Sequence, residues 1–147
     1  MTMRQKLYDA VLKGMNLGHR ALLWLSRGRV GWAIGPMPAV ELHTIGRVSG
    51  SRRSTMLTAP VHSDGRWVLV ASKGGDDRDP DWYRNLLANP EAELTVRGRT
   101  LPVHTRTASP EEKAELWPKI VAVNPGYAGY QRKTTRDIPV VICEALP

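Results

Sequence analysis

Apolar residues near the N-terminus recur with a helical period. Leu7, Val11, Met15, Gly18, Leu22 and Leu25 stand three or four apart, so residues 4–26 predict an amphipathic helix with a single apolar face. Arg4, Lys6, Lys13, Arg20 and Arg27 fall largely off that face. Ser26-Arg27-Gly28 supplies a stop, because glycine suits a helix C-terminus. Residues 28–38 hold four glycines and prolines before Pro38 and read as a linker. From Val40 onward the period shortens. Residues 40–45, 54–62, 66–72, 91–96, 100–107 and 138–144 read as strands, rich in Val, Leu, Ile and Thr. Asp64-Gly65 and Arg97-Gly98-Arg99 mark hairpins. Residues 73–81 form a Gly- and Asp-rich loop, and Asp81 to Ala88 a short helix capped by Asp79 or Asp81. A further helix runs from about Ser109 to Val123, with Ser109 as cap, Pro110 in the first position and Glu111 and Glu112 in the first turn. Residues 124–137 are irregular or briefly helical.

Strands and helices do not alternate, which argues against a doubly wound parallel sheet. The expected fold is α+β, a small antiparallel barrel with peripheral helices. The chain divides into an N-terminal amphipathic helix and linker, residues 1–38, and a β-rich unit, residues 39–147. A length of 147 residues suits one domain of ordinary globular size.

Charge adds a constraint that periodicity does not carry. The net charge is +7, which calls for an anionic partner: nucleic acid, a phosphate-bearing cofactor or an acidic membrane. The excess is unevenly spread. Residues 1–31 hold six Lys or Arg against one Asp, residues 42–63 hold Arg47, Arg52 and Arg53 with no acid, and residues 64–147 balance at twelve of each sign. No recognition-helix or aromatic-platform motif accompanies the basic N-terminus, so no nucleic-acid partner is expected. The single cysteine, Cys143, excludes an internal disulfide and a cysteine-based zinc site. There is no apolar run of spanning length and no signal-peptide pattern, so a cytoplasmic location is expected.

Several chemistries are excluded. Gly46-Arg47-Val48-Ser49-Gly50 is G-x-x-S-G and not the G-x-S-x-G of a nucleophile elbow. Neither a phosphate-loop motif nor G-x-G-x-x-G occurs. His19, His43, His62 and His104 lie far apart and read as structural. Asp76, Asp77, Asp79 and Asp81 crowd one loop but lack the pattern of a calcium loop, and read as a solvated, helix-capping cluster; no metal is expected.

Two segments remain. In residues 46–56, G-R-V-S-G-S-R-R-S-T-M, glycines allow a tight turn whose N–H groups face outward, and three arginines offer forked donors for phosphate or carboxylate. A solvated basic turn explains the same composition. In residues 71–90, Ser72 and Lys73 enter a turn at Gly74 and Gly75 that permits close backbone approach to a ring or a phosphate. Trp82 then offers a stacking surface and Asn85 an amide. Packing of Trp82 with Leu86 into the core accounts equally well for that spacing.

The ordered set G-R-V-S-G, R-R-S-T, A-S-K-G-G, P-D-W-Y-R-N-L-x-A-N-P, Y-x-x-Y-Q and D-I-P-V-V resembles the deazaflavin-dependent nitroreductase family over about residues 40–144. The resemblance implies a split β-barrel and the deazaflavin coenzyme F420 as hydride donor. It implies that Arg47, Ser49, Gly50, Arg53 and the neighbouring Arg52 and Ser54 hold the cofactor's phosphate and oligoglutamyl tail. It places Ser72, Lys73, Gly74, Gly75, Trp82 and Asn85 around the deazaflavin, and Tyr127 and Tyr130 at the acceptor pocket. The chain departs from the family pattern at Val48, where many members carry Lys or Arg. It also departs at Val123-Asn124 and at Thr58-Ala59, where nitroimidazole-reducing members carry aromatics. The expected reaction passes a hydride to a quinone, nitroaromatic or activated alkene, with Ser72, Tyr127 and Tyr130 as candidate donors to the acceptor oxygen. An FMN-binding split-barrel oxidoreductase and a non-enzymatic deazaflavin carrier are the alternatives, and a homodimer is a candidate assembly. Residues 4–26 fit either peripheral attachment at the inner face of an anionic membrane or docking on the barrel.

Overall fold

The computed structural model describes residues 1–25, 33–34 and 37–147. A long helix, α1 (Met3–Leu25), is followed by strands β1 (Ala33–Ile34), β2 (Met37–Ile45), β3 (Arg52–Thr58), β4 (Val61–Ser63) and β5 (Arg66–Val70). A 3-10 turn at Lys73–Gly75 leads into α2 (Asp81–Ala88), then β6 (Glu91–Val96), β7 (Arg99–Thr107), α3 (Pro110–Val123), α4 (Gly126–Lys133) and β8 (Val140–Ala145). Much of the stretch read as a linker, 28–38, lies outside the described residues. Within it Ala33 and Ile34 pair with Pro38 and Met37 as a small hairpin, which the glycine and proline content concealed.

All strand pairs are antiparallel, in the order β1-β2-β6-β7-β8-β5-β4, with β3 joined to β2 alone. The sheet curls into a split barrel, as expected. Its central strands are apolar on both faces. Leu69, Val141 and Cys143 point into one cluster with Val40, Leu42 and Leu94, closed by Tyr83 and Leu86 of α2. Val68, Val70, Val140 and Ile142 point into a second cluster with Leu116 and Ile120 of α3 and Tyr127 of α4. Burial on both faces explains why R-W-V-L-V and V-V-I-C lack alternation. The β6–β7 hairpin turns at Arg97 (φ 49°) and Gly98 (φ 80°), and successive positive φ values match the twist of the flanking strands.

Helix ends divide between expectation and correction. Ser109 and Glu112 form a reciprocal capping box at α3, as the sequence predicts. At α2 neither Asp79 nor Asp81 caps: Pro80 is the N-cap residue, with no side-chain hydrogen bond. Asp81 instead opens the first turn, where its charge favours the helix dipole. The acids of this loop answer to arginines, as described below.

Removing the α3 cap should destabilise the fold measurably. Ser109→Ala is expected to cost about 1 kcal/mol, lowering the thermal midpoint by roughly 3 °C in a calorimetric melt, with the cofactor site unaffected.

Candidate functional site

Because β3 pairs among the described residues with β2 only, its outer edge needs other partners. Helix α1 supplies them. Asn16 Nδ2 donates to the Met56 carbonyl (3.1 Å) and to Thr55 Oγ1 (3.2 Å), and Arg20 donates to the Ser54 carbonyl (3.3 Å) and pairs with Glu41 (3.2 Å). Nearer the N-terminus, the Tyr8 hydroxyl donates to the Lys73 carbonyl (2.8 Å), and Asp9 pairs with Lys73 (3.3 Å) and Arg78 (3.1 Å). Burial alone would raise the Asp9 carboxyl, but hydrogen bonds from Arg78 and Lys73 outweigh it and hold the group below its usual range. The helix therefore docks on the barrel, bridging β3 and the 3-10 turn, and it does so through its polar face. Leu7 (66%), Val11 (51%), Met15 (67%) and Leu22 (47%) of the apolar face are left exposed.

Two cavities lie along this seam. The larger, about 980 Å³, sits between α1 and the sheet, with Leu12, Met56, Leu57, Val70 and Trp82 as apolar wall and Ser72 in its lining. The smaller, about 570 Å³, is lined by Arg47, Ser49, Arg53, Lys13 and Asn85. Lys13, Ser54, Thr55, Asp81 and Trp82 line both, so an apolar chamber opens onto a basic one.

The basic chamber is built on the turn between β2 and β3. The Gly50 N–H donates to the Gly46 carbonyl (2.8 Å), with Gly50 at φ 70°. Ser49 Oγ accepts from the Ser51 N–H (3.2 Å) and from Arg53 (3.2 Å). A side chain at Gly46 would meet Ser49 Oγ at 2.5 Å and the Ser51 carbonyl at 3.3 Å, so a larger residue there would displace Ser49 from its place beside Arg53. Asn85 is buried and its amide is committed: Oδ1 accepts from the Arg47 N–H (3.2 Å) and guanidinium (2.9 Å), and Nδ2 donates to Thr44 (3.2 Å). It sets Arg47 in place, with Asp81 as a further partner (3.2 Å). Arg52 points to the other face of the strand and pairs with Glu93, outside both cavities. On that face Ser54 Oγ bonds His43 Nδ1 (2.7 Å), and His43 Nε2 bonds Thr95 (2.7 Å). Burial, with Arg52 nearby, lowers the His43 pKa and keeps the ring neutral.

The turn after β5 shapes the larger chamber. Gly74 lies at φ 62°, and a side chain there would meet the Tyr8 hydroxyl at 1.7 Å. At Gly75 (φ 87°) it would meet the Tyr130 carbonyl at 2.8 Å. Glycine is thus required both for conformation and for the seating of α1 and α4. Arg136, which the sequence reading missed, clamps the loop. It donates to the carbonyls of Ala71 (3.1 Å), Ser72 (2.9 Å) and Asp76 (2.8 Å) and to the Asp79 carboxylate (2.9 Å). The hydrogen bond from Arg78 holds the Asp76 carboxyl down at about 2, so this loop stays ion-paired throughout the neutral range. The acidic cluster read as solvated is in fact largely paired: Asp76 with Arg78, Asp79 with Arg136 and Asp81 with Arg47.

Tyr127 and Tyr130 line neither cavity. Tyr127 is buried in the second core cluster, and its hydroxyl bonds Thr58 (3.0 Å), one of the two positions read as departing from the family pattern. Burial raises its pKa and keeps it protonated. Tyr130 packs edge-on against it at 5.9 Å. Cys143 is buried and its thiol is pushed up to about 12, so it is unreactive.

An apolar chamber joined to an arginine-lined one thus lies on a split antiparallel barrel. Comparison with known proteins specifies the class. Residues 19–145 match the model of the F420H(2)-dependent quinone reductase family. An F420H(2)-dependent quinone reductase of Mycobacterium tuberculosis is 38% identical over 141 residues, covering 93% of this chain and 87% of that protein. A solved F420-H2 dependent reductase (FDR-A) superposes with a TM-score of 0.66 at 41% identity, covering 73% of this chain and 94% of that one. A second structure, described as a domain-swapped dimer, gives 0.68 at 36% identity over 87% of this chain and 96% of that one. The chain belongs to the F420H(2)-dependent quinone reductase family. It is an oxidoreductase whose cofactor is F420, which decides between the deazaflavin and FMN.

Arg136→Ala should leave three loop carbonyls without their donor, costing about 2–4 kcal/mol in a denaturant titration. Arg136→Lys should recover only part of this, since one ammonium cannot span the same acceptors.

Proposed function

We propose that the chain carries a hydride from reduced F420, held across the two chambers, to a quinone admitted beside α1, and that Ser72 assists at the acceptor oxygen. The observation carrying this reading is the Ser72 side chain. The residue is buried, it lines the apolar chamber, and its hydroxyl has no protein hydrogen-bond partner among the described residues. A donor kept free in a mostly apolar wall suits an oxygen that gains negative charge.

When bound, reduced F420 supplies the hydride from C5 of its ring. The chain's residues supply position and electrostatics. Leu57, Val70 and Trp82 make a dry wall against which a ring can lie. Arg47 and Arg53 face the phosphate and carboxylates of the tail, with Ser49 orienting Arg53 and Asn85 orienting Arg47. The Arg136 clamp fixes the backbone of Ser72 at the chamber wall. In this reading Tyr130 backs the glycine turn, Tyr127 packs in the second core cluster, and neither touches the acceptor. Nitroaromatics and activated alkenes are competing acceptors for the same chamber.

The exposed apolar stripe of α1 supports delivery of the quinone from a bilayer. Leu7 and Val11 face outward while Arg4 and Lys6 flank them, the arrangement of a helix lying in an anionic interface. No helix among the described residues is long and apolar enough to cross a membrane. Because docking on the barrel uses the polar face, both contacts are compatible. The relative described as a domain-swapped dimer supports pairing of chains as the competing way to cover this stripe.

Two measurements test the proposal. Arg47→Ala with Arg53→Ala should weaken F420 binding by roughly tenfold or more in a fluorescence titration. Ser72→Ala should leave that affinity intact while slowing quinone-dependent oxidation of the reduced cofactor roughly tenfold or more. Separately, the full chain should sediment with anionic vesicles, and the Leu7→Ser, Val11→Ser variant should not. Equal sedimentation, or a concentration-dependent dimer lost in that variant, would favour the pairing reading.

A further inference from the structure

We propose that Lys13 of the N-terminal helix is a binding residue for the anionic part of the cofactor, adding from α1 a positive charge to those of Arg47 and Arg53. The inference rests on the reading of the smaller chamber as the tail site.

Val48 is 93% exposed and carries no charge, so the turn contributes Arg47 but no cation at the next position. Among the described residues of α1, Lys13 alone lines the basic chamber, and it lines the apolar chamber too. It stands at their junction, where the ring side of an elongated ligand gives way to its charged side. Its place is fixed by helix geometry. Asp9 lies one turn before it and is paired with Lys73 and Arg78. Asn16 lies one turn after it and is bonded to Thr55 and Met56. Residues three and four apart share a face, so anchoring both neighbours aims Lys13 at the chamber mouth.

The local charges are also uneven. Asp9 is committed to Lys73 and Arg78, and Asp81 to Arg47. Lys13 has no acidic partner among the described residues, and the contact of Arg53 in the chamber is the Ser49 hydroxyl. Two cations without counter-charges, on separate elements, face one cavity. Such an arrangement is unfavourable until an anion bridges it, and suits a ligand with several negative groups. Lys13 also lies outside residues 19–145, the segment the family model covers. A helix whose position answers to Asn16, Arg20 and Asp9 is thereby a part of the site and more than an anchor beside it.

The test compares F420 with its riboflavin-level precursor, which has the ring but neither phosphate nor glutamates, in fluorescence titrations of the full chain. Lys13→Ala is exposed and should fold, which circular dichroism checks. It should weaken F420 binding by about three- to tenfold at low salt, less at high salt, and leave precursor affinity unchanged. Lys13→Arg should retain affinity and Lys13→Glu should lose more than Lys13→Ala. Unchanged F420 affinity in Lys13→Ala, while Arg47→Ala with Arg53→Ala weakens it, would overturn the role of Lys13 and leave the tail site standing. Equal loss for F420 and the precursor would also overturn it. If neither the lysine nor the arginine variants alter F420 affinity, the tail site itself is wrong and the inference falls with it.

Discussion

The organisation of this molecule depends on the free edge of β3. A strand that bonds to one neighbour presents backbone carbonyls on its other side, and in this barrel those of Ser54 and Met56 accept from Arg20 and Asn16 of α1. Satisfying polar groups requires polar side chains, so the helix turns Asp9, Asn16 and Arg20 inward, with Leu12 among them, and leaves Leu7 and Val11 outward. Three consequences follow from that one requirement. A chamber is enclosed between helix and sheet, Lys13 is brought to the arginine turn, and an apolar stripe is left for another partner.

Electrostatics then organise what the edge has positioned. The loop from Ala71 to Asp79 is held by Arg136 on one side and by the Asp9, Lys73, Asp76 and Arg78 cluster on the other. Both holds reach to distant parts of the chain, α1 and the segment before β8. The loop that carries Ser72 is therefore tied at several points although it is rich in glycine. The basic chamber differs: among the described residues Arg53 and Lys13 have no acidic partner, so the positive charge there is left uncompensated.

Much of this could be read from the sequence, for physical reasons. Asp81–Ala88 and Glu91–Val96 appear at their expected bounds because proline, asparagine and glycine punctuate them. The α3 cap is a local motif, and Ser109 and Glu112 identify it without tertiary knowledge. The basic turn and the S-K-G-G turn are contiguous in sequence, so their grouping was visible. What was hidden depends on contacts between distant residues. Arg136 lies 57 to 65 residues from its acceptors in the loop, and the surplus of acids at Asp76–Asp81 was the only hint that a counter-charge existed. The orientation of α1 was hidden as well, because periodicity locates an apolar face but does not say whether that face turns inward. Arg52 and Arg53 are neighbours in sequence with similar chemistry; strand alternation sends one to the chamber and the other to Glu93.

Hydrogen exchange of the full chain, with and without F420, tests the central claim most directly, because it reads every part of the seam at once. If ring and tail occupy chambers that α1 helps to enclose, the cofactor slows exchange together in the turn at residues 46–55, in the loop at residues 72–82 and in α1 around residues 9–20. Protection confined to the barrel, with α1 exchanging as it does without cofactor, would contradict the account.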